Sequence, residues 1–273
     1  MFYDLLTAML YGILEGVTEW LPVSSTGHLI LLEGVLVLPL RESVRELFEV
    51  MIQLGAILAV AVLFWQRLNP FVRGKDPAQR RETLMLWGKV LLAALPAALA
   101  GLLLDDWMTA RLYRPVVVAG ALILYGVLFI LLEKWRKRAP FTVQTGDITL
   151  RTAVLVGCFQ VLALVPGTSR SGATILGGML LGLSRSVAAE FSFFLGIPTM
   201  LGAGALKSVK FFAAGDALTG MELAMLLTGM VTAFLVSLAV IRFLMDFVRR
   251  HSFASFGVYR ILLGGVVLAI SLR

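Results

Sequence analysis

The sequence predicts an all-α integral membrane protein with six transmembrane helices plus two re-entrant helical hairpins, arranged as an inverted-topology repeat. Hydrophobic residues make up 59% of the 273 residues and charged residues only 15%. The mean hydropathy of +0.91 is far above that of soluble domains. In addition, apolar runs of membrane-spanning length recur along the chain, and two further apolar regions are interrupted by Pro, Gly and Ser and resemble each other.

A helix needs about 20 apolar residues to cross the hydrocarbon core of a bilayer. Six runs approach or exceed this length: Leu47–Trp65, Leu84–Leu104, Pro115–Leu132, Val187–Leu206, Met221–Phe243 and Phe256–Leu272. Four shorter apolar segments form two pairs: Leu5–Leu21 with Leu29–Leu38, and Thr152–Val165 with Ala173–Leu183. Because these pieces are short and divided by turn residues, each pair predicts a hairpin that enters and leaves the membrane on one side.

Charge and cysteine content set the topology and exclude several classes of protein. The formal charge of +7 is concentrated in two connections, Gln66–Lys89 and Glu133–Arg151, which the positive-inside rule places in the cytoplasm. These basic residues flank helix ends, and they are not accompanied by a nucleic-acid-binding motif in which basic and aromatic residues alternate. We therefore expect no nucleic-acid partner. Cys158 is the only cysteine, which excludes an intrachain disulfide and a thiolate metal cluster.

The two interrupted regions read as copies of one unit. GILEGVTEWLPVSSTGH from Gly12 and GCFQVLALVPGTSRSGA from Gly157 share a glycine, an apolar helix, a proline and a Ser/Gly turn. Downstream, EVMIQLGAI from Glu49 matches EFSFFLGIP from Glu190 at Glu, Leu and Gly. The predicted units within this single membrane domain are a first repeat at 1–133, a cytoplasmic linker at 134–151 and a second repeat at 152–273. Because each copy contains three crossings, the second copy enters from the opposite side of the membrane.

The first motif, Glu15 to His28, places two carboxylates in an apolar hairpin. Glu15 and Glu19 are spaced i, i+4, so a helix directs both to one face, where they can share a proton or bind a cation. Hard cations such as Mg²⁺ and Ca²⁺ prefer oxygen ligands. Charged groups at bilayer depth are costly and typical of functional sites; the alternative is that the two glutamates only cap helices or pair with arginines. The polar residues that follow them are Ser24, Ser25, Thr26 and His28.

The second motif, Pro166 to Thr174, places Arg170 at the break of the other hairpin. A guanidinium suits phosphate oxygens, and a Gly/Ser turn at a helix start leaves backbone N–H groups free to bind an anion. The alternative is that Arg170 neutralises Glu15 or Glu19 across the repeat interface. The candidate substrate-binding residues of the two halves are Ser24, Thr26, Gln53, Ser169, Ser171, Gly172 and Thr174.

With these motifs, the chain resembles the bacterial undecaprenyl pyrophosphate phosphatases of the bacitracin-resistance type. Glu15–His28, EGVTEWLPVSSTGH, and Pro166–Thr174, PGTSRSGAT, match family signatures, in which Trp20 and Thr168 stand at positions expected to vary. The FEVMIQLGAILAV and AAEFSFFLGIP segments are similar to the family as well. The resemblance implies a multi-pass protein of the bacterial cell (inner) membrane. It also implies hydrolysis of undecaprenyl pyrophosphate to undecaprenyl phosphate and inorganic phosphate, which recycles the lipid carrier for peptidoglycan and other cell-wall polymers and confers bacitracin resistance.

For such a reaction the residues leave several schemes open. Arg170 with Ser169 and Ser171 would hold the diphosphate, and Glu15 and Glu19 would bind Mg²⁺ or Ca²⁺, or Glu19 would act as a base. Ser25 or His28 would be the nucleophile, or His28 would activate Ser25 or water; we favour Ser25 assisted by Glu19 or His28. The charge-based topology predicts that the site faces the periplasm and outer leaflet. The alternative function is a transporter or flippase of the prenyl phosphate carrier lipid, and the oligomeric state, a homodimer included, stays open.

Overall fold

The computed structural model describes residues 2–136 and 139–271, so Lys137 and Arg138 of the basic linker, and Leu272 at the predicted end of the last crossing, lie outside the described residues. The α-helices of the described part are α1 (Phe2–Thr18), α2 (Ser25–Glu33), α3 (Glu42–Leu63), α4 (Trp65–Leu68), α5 (Pro77–Leu112), α6 (Pro115–Trp135), α7 (Leu150–Val161), α8 (Arg170–Leu180), α9 (Arg185–Ala213), α10 (Gly220–Arg250) and α11 (Ala254–Ser271). Short 3-10 helices lie at Thr145–Asp147 and Leu162–Leu164.

Among the described residues, six helices are long and apolar enough to cross a membrane: α3, α5 over Pro77–Leu104, α6, α9, α10 and α11. Each contains one of the six predicted runs, apart from residues at the run ends, so the predicted crossings are confirmed as spans by length and composition. The helices extend past the apolar runs because polar residues cap them. Ser184 accepts a hydrogen bond from the backbone of Val187 before α9, and Thr219 and Glu222 form a capping box at the start of α10.

The two motif regions are built from shorter helices with a break between them. In both breaks a serine takes a left-handed backbone conformation: φ is 73° at Ser24 and 71° at Ser169. This conformation is uncommon for a residue with a Cβ atom. Each serine directly precedes the second helix of its pair, α2 or α8, so the left-handed residue marks the point where the new helix begins.

Each pair of short helices packs against long helices from the other half of the chain. α1 lies on α10 and α7 on α5, while α2 contacts α11 and α8 contacts α6. Glycines permit this close packing: a Cβ atom added at Gly12 would lie 2.4 Å from the carbonyl oxygen of Gly229, and one at Gly157 would lie 2.0 Å from that of Ala93. The chain halves are therefore interlocked.

The helix α9 forms the centre of the bundle. In its apolar stretch 72% of residues are buried, compared with 17% in α5, and it packs against α3, α5 and α8. Because α9 is enclosed, the side chains and carbonyl groups of its N-terminal half are held against both motif regions. This places Ser192 and Gly196 next to the start of α8.

The two basic connections lie at one end of the bundle. The Lys89 ammonium donates to the carbonyl oxygen of Gly146 at 2.8 Å, and Glu190 is bound both by Arg67 and by the Thr145 hydroxyl. With 36 residues, α5 spans on the order of 50 Å at about 1.5 Å per residue. Tyr113, directly after α5, therefore lies at the end of the bundle opposite to these connections.

Candidate active site

A cavity of about 380 Å³ brings the two motifs together. Its wall includes residues from the first motif, the second motif and the helices α3, α5 and α9. The polar residues of this wall are Glu19, Ser25, Thr26, Gln53, Tyr113, Ser169, Arg170 and Thr199. Six of the twelve candidate residues named from the sequence therefore share one cavity, although up to 151 positions separate them in the chain.

Glu19 and Arg170 form an ion pair across this cavity. Nε and Nη2 of Arg170 donate to Oε1 of Glu19 at 3.1 and 2.9 Å, and Nη1 donates to the carbonyl oxygen of Ser192 at 2.7 Å. The guanidinium also lies 5.9 Å from the ring centroid of Trp20. The pairing of Arg170 with a carboxylate of the first motif is therefore present, while both side chains still line the cavity.

The fit of Arg170 depends on a glycine of α9. A Cβ atom at Gly196 would lie 2.9 Å from Cζ of Arg170, closer than real Cβ contacts allow. Next to it, the hydroxyl groups of Thr174 and Ser192 are hydrogen-bonded at 2.6 Å. The wall behind the guanidinium is thus tightly packed, and its position is set by neighbours on two helices.

The start of α8 uses most of its polar groups internally. The Ser169 hydroxyl accepts a hydrogen bond from the Gly172 N–H at 3.2 Å and caps the helix. The Ser171 hydroxyl donates to the carbonyl oxygen of Glu19 at 3.0 Å, which ties α8 to the end of the first motif helix. Ser171, Gly172 and Thr174 are buried and are not part of the cavity wall, whereas Ser169 is.

Glu15 lies behind the cavity in a fully buried position. Neither of its carboxylate oxygens has a hydrogen-bond partner among the described residues, and the same holds for the hydroxyl of Ser24. A buried carboxylate without a partner is costly, so it fits a site that binds a proton or a cation. Groups of three or more His, Cys, Asp or Glu side chains suited to a metal are not found among the described residues. Mg²⁺ is often bound by only one or two carboxylates plus substrate phosphates, and Glu15 with Glu19 fits that mode.

His28 has both ring nitrogens engaged outside the cavity wall. Nδ1 lies 2.7 Å from the carbonyl oxygen of Ser24, and Nε2 lies 2.7 Å from the hydroxyl of Tyr259. Because a carbonyl oxygen only accepts, Nδ1 must carry the proton, and in the neutral ring Nε2 then accepts from Tyr259. The imidazole is therefore placed to hold the Ser24 loop, and it does not line the cavity.

Several residues that contact the motifs were not among the sequence-based candidates. Tyr259 and Arg260 of α11 bind the first motif, and Arg260 also binds the second. Ser192 and Gly196 of α9 hold Arg170. One sequence signal could have identified Arg260: it is a charged residue in the middle of an apolar crossing, which is the same reason that drew attention to Arg170.

Over nearly its whole length the chain is similar to one protein family and to named bacterial proteins. The family described as bacitracin resistance protein BacA matches residues 8–266. A protein of Streptococcus thermophilus (strain ATCC BAA-250 / LMG 18311) named undecaprenyl-diphosphatase is 54% identical over 97% of this chain and 92% of its own length. Proteins with the same name from Enterococcus faecalis and Streptococcus suis (strain 05ZYH33) are 51% and 52% identical, over 99% and 98% of this chain and 98% and 97% of their own lengths.

Proposed function

The chain belongs to the bacitracin resistance protein BacA family, and we propose that it hydrolyses undecaprenyl diphosphate to undecaprenyl phosphate and inorganic phosphate. As an undecaprenyl-diphosphatase it recycles the lipid carrier of peptidoglycan and other cell-wall polymers and confers bacitracin resistance. One observation carries the assignment to this site: Ser25, Glu19 and Arg170 line the same cavity. A hydroxyl nucleophile, a carboxylate base and a guanidinium that stabilises phosphate charge are the groups that phosphoryl transfer needs.

In the proposed reaction the Ser25 hydroxyl attacks the terminal phosphorus of the diphosphate. The bond between that phosphorus and the bridging oxygen breaks, undecaprenyl phosphate leaves, and Glu19 takes the hydroxyl proton. Water then attacks the phosphoserine and releases inorganic phosphate, and Glu19 returns the proton to the departing serine oxygen, which regenerates the hydroxyl and the carboxylate. Arg170 stabilises the transferred phosphoryl group; its two bonds to Glu19 both fall on Oε1, which leaves Oε2 for the proton.

The remaining candidates support these three residues. Thr26, Gln53 and Ser169 lie on the cavity wall and would bind phosphate oxygens. His28 holds the carbonyl group of Ser24, next to Ser25, and so positions the nucleophile. The two motif loops are residues 19–24, between α1 and α2, and residues 165–169, before α8. Ser24 belongs to the first loop, while Ser171, Gly172 and Thr174 lie in the first turns of α8, directly after the second.

A divalent cation, Mg²⁺ or Ca²⁺, fits the carboxylates of Glu15 and Glu19, as the alternative to the role of Glu19 as a base. When bound there, it would offset the negative charge of the two phosphate groups. The unpartnered oxygens of Glu15 support this assignment, because water and substrate phosphate would complete such a site.

The proposal includes re-entrant hairpins that form an inverted repeat. Three features support it: the left-handed serines at Ser24 and Ser169, the close helix contacts at Gly12 and Gly157, and the exchange in which α1 packs on α10 while α7 packs on α5. Each of these features occurs once in the first half of the chain and once, at the corresponding position, in the second half. Two half-helices that meet within the bilayer can hold a charged headgroup there while its prenyl tail stays in lipid.

The site is proposed to face the periplasm, in the bacterial inner membrane. The cavity wall contains Tyr113, at the end of the bundle opposite to the basic connections, which the positive-inside rule places in the cytoplasm. All the residues assigned to the proposed reaction lie in one chain, so the proposal includes no second subunit in catalysis and no nucleic-acid partner, and a homodimer would be an additional level of assembly.

The direct test is phosphate release from a prenyl diphosphate by the purified protein, with and without a chelator. We expect cation-dependent release by the native chain and its loss in Arg170→Ala and Glu19→Ala, while Arg242→Ala, an exposed position of α10, serves as the matched control. If the native protein bound the lipid, moved it across vesicles and released no phosphate, the hydrolase assignment would fail in favour of a flippase.

A further inference from the structure

We propose that Arg260 is a positioning residue that holds the two motif loops in the relative arrangement the reaction requires, by binding backbone carbonyl groups of both loops at once. Arg260 lies on α11 and is fully buried, and it is not part of the cavity wall. The inference rests on the proposed function and adds a residue that acts behind the reacting groups.

The contacts of Arg260 reach both motifs. Nη1 donates to the carbonyl oxygen of Pro22 at 3.1 Å, and Nη2 donates to those of Gly167 and Thr168 at 2.8 and 2.9 Å. Nε lies 3.4 Å from the carbonyl oxygen of Leu122 on α6. A guanidinium has rigid N–H donors along its edges, so a single side chain can fix the spacing of two loops that are distant in sequence.

The burial of this charge is difficult to explain by stability alone. Among the described residues no ion pair joins Arg260 to a carboxylate; its partners are carbonyl groups and the ring of Tyr125, whose centroid is 5.4 Å from Cζ. Removing a charge from water is costly, and apolar replacements of buried charges are often neutral or stabilising. We therefore infer that Arg260 of α11 serves a role other than packing stability.

The second motif is shaped to receive this guanidinium. A Cβ atom at Gly172 would lie 3.0 Å from Nη1 of Arg260, so the glycine of the SRSG sequence leaves the space that the arginine occupies. Gly167, whose carbonyl group binds Nη2, has a left-handed φ of 90°. Two glycines of one motif thus accommodate a residue that follows them by about 90 positions in the chain.

The bound carbonyl groups lie next to the reacting side chains. Pro22 precedes Ser25 by three residues and Thr168 precedes Arg170 by two, and each loop contains a serine in a left-handed conformation. A shift of one loop relative to the other would change the distance between the Ser25 hydroxyl and the Arg170 guanidinium. A misplacement of about 1 Å can cost on the order of 100-fold in rate. By holding both loops, Arg260 would keep the distance between the Ser25 hydroxyl and the Arg170 guanidinium at the value that the reaction needs.

The test compares Arg260→Lys, Arg260→Ala and the control Arg242→Ala in the phosphate-release assay. Lysine keeps the charge on a slightly shorter side chain but lacks the planar fork of donors that binds carbonyl groups on two edges. We expect Arg260→Lys to keep native helical circular dichroism and melting temperature while kcat falls by about 10-fold or more and KM changes by less than about 3-fold, because positioning acts on the chemical step. Arg242→Ala should match the native protein.

Chemical rescue provides a second readout that a purely structural role would not move. In Arg260→Ala, added guanidinium should fill the vacated site and restore kcat, whereas methylammonium at the same concentration should not, and Arg242→Ala should respond to neither. A native kcat in Arg260→Lys, or activity losses in both Arg260 variants that merely follow lost helical content, would overturn the positioning role. Absence of phosphate release by the native protein would instead overturn the proposed function.

Discussion

At the scale of single residues, Gly196 and Gly202 of α9 have different surroundings. A Cβ atom at Gly196 would meet Cζ of Arg170 at 2.9 Å, whereas one at Gly202 would have nothing within 4 Å. We expect Gly196→Ala to displace the guanidinium and lower kcat/KM by about 10- to 100-fold. Gly202→Ala should keep native activity and gain up to about 1 kcal/mol in helix stability. Steady-state phosphate release checks both; equal activities would show that the glycine does not set the position of Arg170.

Two serines of the motifs are expected to respond differently to the same substitution. Ser25 lines the cavity, while the Ser171 hydroxyl is directed to the carbonyl oxygen of Glu19. Ser25→Ala should lower kcat by about 10⁴-fold or more, as the loss of a nucleophile does. Ser171→Ala should lower the free energy of unfolding by about 1 kcal/mol and retain measurable turnover. Mass spectrometry of acid-quenched native protein should find phosphate on Ser25; a Ser25→Ala variant with native turnover would exclude the nucleophile.

The sequence could predict some of these residues and not others, for a physical reason. Glu19 and Arg170 stand out because a charge in apolar sequence is costly, and that cost is visible without coordinates. The partner of His28 is 231 positions away, and the direction of the Ser171 hydroxyl depends on where α1 ends relative to α8. Such contacts form only when the two halves of the chain pack together. The sequence alone therefore does not distinguish a hydroxyl that lines the cavity, such as that of Ser25, from one that binds the backbone next to it, such as that of Ser171.

At the scale of helices, equivalent glycines are expected to have equivalent effects. Gly12 on α1 and Gly157 on α7 each contact a carbonyl oxygen of a helix from the other half, whereas a Cβ atom at Gly120 of α6 would meet nothing within 4 Å. Gly12→Ala and Gly157→Ala should each lower the free energy of unfolding by about 1–3 kcal/mol through overpacking. Melting in detergent, followed by circular dichroism, measures this, with Gly120→Ala as the control. Variants as stable as that control would argue against close packing at these sites.

The helices that cross the membrane were the most predictable elements, because their apolar length is a property of the sequence itself. Their ends were less predictable. α9 continues to Ala213, past the predicted Leu206, since a helix can extend into the interfacial region when its polar side chains reach water. The basic residues of the two connections are visible in the sequence, but the contact between Lys89 and Gly146 that joins the connections depends on tertiary packing.

At the scale of the whole molecule, the two ends of the bundle differ in their balance of basic and acidic residues. Basic residues dominate the connections around Arg73 and Lys89. At the other end, basic residues are mixed with acidic ones and form ion pairs with them: Arg41 binds Glu222 at 2.9 Å, and Lys207 binds Glu46 at 2.7 Å. A solvent-exposed pair such as Lys207 with Glu46 stabilises by less than about 1 kcal/mol. The main effect of the acidic residues in these pairs is therefore to reduce the net charge at the end where Tyr113 and the cavity lie.

This asymmetry gives a prediction for the orientation of the protein in the cell. Cys158 is exposed and would itself react with a thiol reagent, so it is first replaced by serine. Single cysteines are then introduced as Arg73→Cys and Arg114→Cys, two exposed positions at opposite ends of the bundle. A membrane-impermeant maleimide should label Arg114→Cys in intact cells and Arg73→Cys only after permeabilisation, because the positive-inside rule holds the basic end in the cytoplasm. The reverse pattern would place the cavity at the cytoplasmic face, and the diphosphate would then be cleaved on the inner leaflet.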